Sequence, residues 1–177
     1  MLAFARGDAG AFDSLYARHK GTVFRFIKRS LASHADAEEI FQEVWMKAIE
    51  ARARYEPRAK FTTWIYAIAH NRLVDAWRRK GLTLVSLDPV DDDEHPAIDP
   101  PGDAANEPFA QLSTREAIER FAAAFDKLPP AQREAFVMKE EAEMSIAEIA
   151  AATGSNEEAV KSRVRYATAK LREALDG

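Results

Sequence analysis

The sequence predicts an all-α protein: two small helical domains joined by an acidic Pro-rich linker, the C-terminal one a helix-turn-helix. Three observations predict it. Apolar residues of the N-terminal part recur at helical spacing with no strand alternation. Acidity and proline are concentrated in the middle, where Pro89, Pro96, Pro100, Pro101, Gly102 and Pro108 surround the run Asp91-Asp92-Asp93-Glu94. Near the end, two serine-to-glutamate capping boxes flank Gly154. A chain of 177 residues has room for two such domains, and its 47% hydrophobic residues can supply two cores. The domains are placed at residues 1–81 and 112–177, with the linker at 82–111.

The first helix carries its buried stripe at Phe12, Leu15, Tyr16, His19, Val23, Phe26 and Ile27. After a break at Ser33-His34, a second helix pairs Ile40-Phe41, Val44-Trp45 and Ala48-Ile49. It places Asp36, Glu38 and Glu39 in its first turns, where the helix dipole favours carboxylates. Pro57 follows it. A third helix starts near Thr62 or Thr63, turns Trp64, Ile65, Ile68, Leu73 and Ala76 inward, and closes at Arg78-Arg79-Lys80 before Gly81. Beyond the linker, Ala117, Ile118, Phe121, Phe125 and Leu128 form another amphipathic stripe. Pro130 suits the first position of a helix running to about Glu141. Ser145-Ile146-Ala147-Glu148 and Ser155-Asn156-Glu157-Glu158 then begin two helices, with Ile146, Ile149 and Ala150 packing on Val160 and Val164. The small Ala150 and the turn at Gly154 give the composition of a helix-turn-helix.

Composition excludes several classes of function. Without cysteine there is no disulfide framework, thiolate metal site or thiol nucleophile. His19, His34, His70 and His95 form no H-x-x-x-H pair, and no nucleophile elbow or glycine-rich phosphate loop is present. No enzymatic activity, cofactor or metal is therefore expected, and Asp91 to His95 lacks the spaced ligands of a calcium loop. With no long apolar run and no leader in Met1-Leu2-Ala3-Phe4, membrane insertion is not expected and a cytoplasmic location is.

The net charge of −4 argues against a nucleic-acid protein only as a bulk number. Residues 1–80 carry 15 Lys and Arg against 9 Asp and Glu (net +6), residues 81–126 carry 2 against 11 (net −9), and residues 127–177 carry 8 against 9 (net −1). Two stretches are locally basic. Residues 155–172 net +3 and present Lys161, Ser162, Arg165 and Thr168 on one helical face. Such a helix can read a major groove, although a solvated basic face near a helix C-terminus has the same pattern. Residues 60–80 net +4 and interleave Lys60, Phe61, Trp64, Tyr66, His70, Asn71, Arg72 and Trp77. Aromatic faces stack on unpaired bases at ~1–3 kcal/mol each, a mixture that suits single-stranded DNA. The competing reading of Trp64, Ile65 and Ile68 is helix core.

The stretches Ala37-Glu38-Glu39-Ile40-Phe41-Gln42-Glu43-Val44-Trp45, Phe61 through Leu73, Leu128-Pro129-Pro130-Ala131-Gln132-Arg133-Glu134 and Val160-Lys161-Ser162-Arg163 closely resemble bacterial RNA polymerase sigma factors of the extracytoplasmic-function group. The resemblance covers both domains in order. It implies docking on core polymerase through Asp36, Glu38, Glu39, Gln42, Glu43 and Trp45. It also implies capture of the unpaired minus-ten element by Arg58, Lys60, Phe61, Thr62, Trp64, His70 and Asn71, with Asn71 meeting a flipped base. The minus-thirty-five duplex falls to Lys161, Ser162, Arg165 and Tyr166, with Arg163 on phosphate. The partners implied are core RNA polymerase, promoter DNA as duplex and single strand, and an anti-sigma factor. The acidic tether would thread the polymerase interior and discourage DNA binding by the free factor. The chain departs from the family at His70 and Tyr166, where arginine is common, and at Glu143-Met144-Ser145, which replaces a Gly-Leu-Ser-like turn. The expected function is that of a sigma factor that binds polymerase, recognises both elements and promotes opening. The alternative is a helix-turn-helix repressor or activator that binds operator DNA without polymerase.

Overall fold

In the computed structural model, residues 1–79, 81 and 114–176 are described; the proposed linker at 82–111, with the Asp91 to His95 cluster, lies outside them. The elements are α1 (Leu2–Ala5), α2 (Ala9–Ser30), α3 (His34–Glu50), a 3-10 turn (Ala51–Arg54), α4 (Phe61–Arg79), α5 (Thr114–Lys127), α6 (Pro130–Glu140), α7 (Ile146–Thr153) and α8 (Glu157–Asp176). No strand occurs among the described residues, so the all-α expectation holds.

Helices α2, α3 and α4 pack around Val23, Phe26, Ile27, Ile40, Val44, Ile65 and Leu73, each at most 2% exposed. Side-chain caps start two of them. Asp8 accepts from the Ala11 amide at 3.1 Å, and Ser33 from the Asp36 amide at 3.2 Å. The short α1 carries no sequence signal and is held by ring contact, with Phe4 and Phe12 centroids 4.8 Å apart. Tyr66 and Trp77, which the sequence placed in the aromatic-basic face of α4, are instead buried at 3% and 2% exposure. Trp77 Nε1 donates to the Ser30 carbonyl at 3.3 Å, tying the C-terminal end of α4 to that of α2. Burial raises the Tyr66 phenol to about 12.

In the second domain α8 lies along α5, α6 and α7. Pro130 opens α6 as expected. Ser145 and Glu148 complete a reciprocal capping box at α7, and Gly154 closes that helix at φ +64°. The second box does not form. Asn156 Oδ1 accepts from the Ala159 amide at 2.7 Å, while Ser155 Oγ accepts from Arg163 Nη1 at 2.8 Å. The amide of Asn156 lies one residue nearer the helix start, in reach of the free N–H. Ile118, assigned to the buried stripe of α5, is 63% exposed because it lies at the rim of an open groove between α2 and α5.

The two domains touch. Helix α4 packs on α7 and α2 on α6, and the buried apolar residues of both domains join in one continuous cluster.

Candidate nucleic-acid interface

Three surfaces carry the residues singled out in the sequence. On α3, Glu38, Glu39 and Gln42 are exposed, and Asp36 and Glu43 half-buried, along one face of the helix. Trp45 is not part of this face. It is 5% exposed and packs edge-on against Tyr16 at 4.8 Å and Phe12 at 6.0 Å, because its position one residue beyond Val44 falls on the inward side. The face gains a residue that sequence reasoning missed. Met46, 56% exposed, lies beside Glu39, Gln42 and Glu43 in a shallow depression. Its spacing, four residues after Gln42 and three after Glu43, was the available signal.

The second surface is the loop before α4 and the start of that helix. Arg58 is exposed and its Nη2 lies 2.5 Å from Glu56. Lys60 is exposed, and its Nζ meets Glu148 Oε1 at 2.8 Å. Phe61, Thr62 and Trp64 are half-buried. Trp64 is braced by Tyr55 at 4.9 Å, nearly perpendicular, and by Phe61 at 5.7 Å, while Phe61 also leans on the His19 ring at 5.1 Å. The ring of Trp64 is therefore packed into the core on one side and leaves part of its surface to solvent. Asn71 is exposed. His70 is not: its side chain is 17% exposed, with Nδ1 2.8 Å from Glu134 Oε1 in the other domain. Sequence reasoning had no means of seeing that contact, which spans 64 residues.

The third surface is α8. Lys161 and Arg165 are exposed, Ser162, Arg163 and Tyr166 half-buried. Lys161 Nζ lies 2.6 Å from Glu158, whose hydrogen bond raises the ammonium pKa. Arg165 sits 5.2 Å over the Tyr166 ring. Arg163 anchors the turn through Ser155, consistent with a positioning rather than a base-reading side chain. The minus-ten candidates thus gather on the first domain and the minus-thirty-five candidates on the second.

Electrostatics at the contact between the domains centre on Glu148. Lys60, then the amide and hydroxyl of Ser145, hold its carboxyl down to about 2. No group of His, Cys, Asp and Glu suited to hold a metal ion occurs among the described residues. No helix of the described residues is long and apolar enough to cross a membrane.

Comparison with known proteins agrees with this layout. The sigma-70 region 2 family model matches residues 15–83, and the sigma-70 region 4 model matches residues 118–171. The chain is 31% identical over 184 aligned residues to the RNA polymerase sigma factor CarQ of Myxococcus xanthus, covering 99% of this chain and 95% of that protein. It is 30% identical to the ECF RNA polymerase sigma factor SigM of Mycobacterium tuberculosis, covering 99% of this chain and 82% of that one. Among solved structures, CnrH in complex with the cytosolic domain of CnrY superposes with a TM-score of 0.66 at 24% identity, over 97% of this chain and 92% of that one. The sigma factor RpoE in complex with the anti-sigma factor NepR from Bartonella quintana gives 0.68 at 22% identity, over 94% and 97%. With regions 2 and 4 in order and near-complete coverage of a relative at this identity, the chain belongs to the extracytoplasmic-function group of the sigma-70 family, polymerase-binding factors of transcription initiation.

Proposed function

We propose that this sigma factor reads the minus-thirty-five duplex with α8, traps the minus-ten element as a single strand on α4 and its preceding loop, and so helps open the promoter. The observation that carries the proposal is the second helix of the helix-turn-helix. Behind the left-handed Gly154, α8 presents Lys161 and Arg165 to solvent in the turns that a recognition helix places in the major groove. The chemistry of α4 complements it. Exposed Asn71 offers an amide for a base edge, and the half-exposed faces of Phe61 and Trp64 offer stacking that offsets unpairing costs of a few kcal/mol.

Core polymerase binds, in this proposal, through Glu38, Glu39, Gln42 and Glu43 around exposed Met46, a row of acceptors with an apolar centre. A repressor acting without polymerase would leave that row idle. An anti-sigma protein is a further partner. The groove between α2 and α5 offers it the apolar side chains of Ile118, Phe121 and Phe125 beside the basic Arg25, Lys28 and Arg29. The site of action is the cytoplasm, with polymerase.

Run-off transcription with purified core enzyme on a library of native promoter fragments tests the proposal. Factor-dependent start sites sharing two upstream elements are expected. Asn71→Ala should weaken opening more than polymerase binding, and Glu43→Ala the reverse. Absence of factor-dependent initiation on every fragment overturns it.

A further inference from the structure

Helix α2 is basic in a way that neither DNA-reading surface accounts for. Between Asp13 and Asp36 the chain holds Arg18, Lys20, Arg25, Lys28 and Arg29 and no Asp or Glu. Like charges four residues apart on a helix repel, so Arg25 and Arg29 weaken α2 taken by itself. Arg18, Arg25 and Arg29, spaced by seven and four residues, lie along one line of the helix. The last two converge on one anionic acceptor: Glu141 pairs with Arg29 and lies 3.8 Å from Arg25. The side chains of Arg25 and Arg29 are still 56% and 45% exposed, with donors left for a second anion. Arg18 is exposed and has no ion-pair partner among the described residues.

The N-terminal end of this line meets the surface assigned to the minus-ten strand. His19, next to Arg18, sets its ring 5.1 Å from Phe61, which stands 5.7 Å from Trp64. Trp64, Phe61 and His19 therefore form a series of rings that leads from α4 onto α2. Burial, and then the Arg18 guanidinium, pull the His19 pKa below its ordinary value, so the ring is neutral at pH 7 and packs on Phe61 without charge. Gly21 adds a further feature. It is exposed in the middle of α2, between Arg18 and Arg25, where glycine weakens a helix and no positive φ requires it. A Cβ there would have only Arg25 Nη1 within 4 Å, at 3.6 Å. No neighbour inside the protein demands glycine at this position, whereas a strand backbone lying close across the helix does.

We propose that the unpaired strand, having passed Phe61, continues along α2, where Arg18 and Arg25 hold its phosphates across the gap left by Gly21 and His19 holds the Phe61 ring in its stacking position. This rests on the assignment of α4 to the minus-ten strand. The bases are read by α4; α2 contributes contacts to phosphate, which place the strand without reading its sequence. Lys20 is not part of the track, because it turns to another side of α2 and lies 5.6 Å over the Tyr16 ring.

The test uses holoenzyme formed with purified core polymerase and a single-stranded oligonucleotide carrying a mapped minus-ten element, its flanking phosphates replaced one at a time by neutral methylphosphonates. Arg18→Gln is expected to lose roughly threefold in affinity for the all-phosphate strand and to flatten the logarithmic salt dependence by about 0.7. One or two methylphosphonate positions, on one side of the element only, should cost wild type the same factor and cost Arg18→Gln nothing. Lys127→Gln, which removes an equal charge from the exposed end of α5, should match wild type on every strand. Gly21→Leu should raise the thermal midpoint, because leucine is the better helix former, and yet lower strand affinity. His19→Phe should keep the affinity that His19→Ala loses. A loss by Arg18→Gln that is equal on every methylphosphonate strand, or shared by Lys127→Gln, overturns the proposal in favour of a general charge effect. Gly21→Leu binding as tightly as wild type, or His19→Phe losing as much as His19→Ala, overturns it as well. Crosslinking of wild-type holoenzyme to the same strand separates the two readings. A crosslink at α4 with unchanged affinity in Arg18→Gln removes only the track on α2, whereas no crosslink at α4 removes the assignment of that helix.

Discussion

Glu143 is, among the described residues, the one non-glycine residue at positive φ, +53°, and it stands where the family resemblance places a glycine. A left-handed conformation costs an L-residue ~1–2 kcal/mol, and glycine gives back ~0.5–1 through its freer unfolded chain. Glu143→Gly should therefore raise stability by ~0.5–1 kcal/mol, visible as a higher thermal midpoint, with the turn into α7 unchanged. Met144, next to it, is 2% exposed and fills the apolar position of the same turn. The carboxyl of Glu148 makes a prediction in pH. Its folded value of about 2 lies below the ordinary 4.5, so its stabilisation is complete above pH 4.5 and is lost as pH falls toward 2. Glu148→Gln lacks that contribution at every pH. The stability gap between the two proteins, measured by urea unfolding, should be widest above pH 4.5 and close on acidification toward 2.

The helix-turn-helix is held at the level of elements by caps and by one side-chain tie. Asn156→Ala removes the acceptor for the Ala159 amide and should cost ~1 kcal/mol. Ser155→Ala leaves that cap intact and instead removes the hydrogen bond it makes with Arg163 Nη1. Its expected effect is a smaller loss of stability with a weaker grip of α8 on duplex DNA, measured by anisotropy with holoenzyme on a mapped promoter. The reverse ranking in stability would restore Ser155 as the cap. Arg133 serves a similar purpose at the α5–α6 junction. Its Nη2 donates to the carbonyls of Asp126 and Leu128 at 2.5 and 3.1 Å while the guanidinium lies 5.5 Å over Phe125. Those carbonyls end α5 without helical partners, so the guanidinium supplies what the chain ahead of Pro129 and Pro130 leaves unmet.

One continuous apolar cluster joins the two domains, with ion pairs around it. Small domains coupled in this way unfold together, because opening either exposes the surface of both. Calorimetry of the wild-type chain should show a single transition. The variant with Glu134→Gln, Glu141→Gln and Glu148→Gln should broaden or split it, since the exchange removes charge across the contact and leaves each domain's own core untouched. The net charge of −4 belongs to the same scale. The mean is set by the acidic stretch at residues 81–126, and both local basic patches persist beside it.

Apart from α1, periodicity with its capping and turn signals determined the helices, their order and most of their inward faces, because burial of an apolar stripe is a local, repeating demand on the sequence. The capping box at Ser145 and the turn at Gly154 were legible for the same reason, each needing residues within a few positions of one another. Tyr66, Trp77 and Trp45 were misplaced because an aromatic on a helix reads as surface or core only once the neighbouring helix is known. The competition between Ser155 and Asn156 for the cap was decided by Arg163, a residue eight positions away that claims the serine. The contact of His70 with Glu134 and of Lys60 with Glu148 joins residues far apart in the chain. No periodicity encodes such pairs. They exist because two amphipathic domains on one chain bury their remaining apolar faces against each other, and only the packed structure shows which charges that burial brings together.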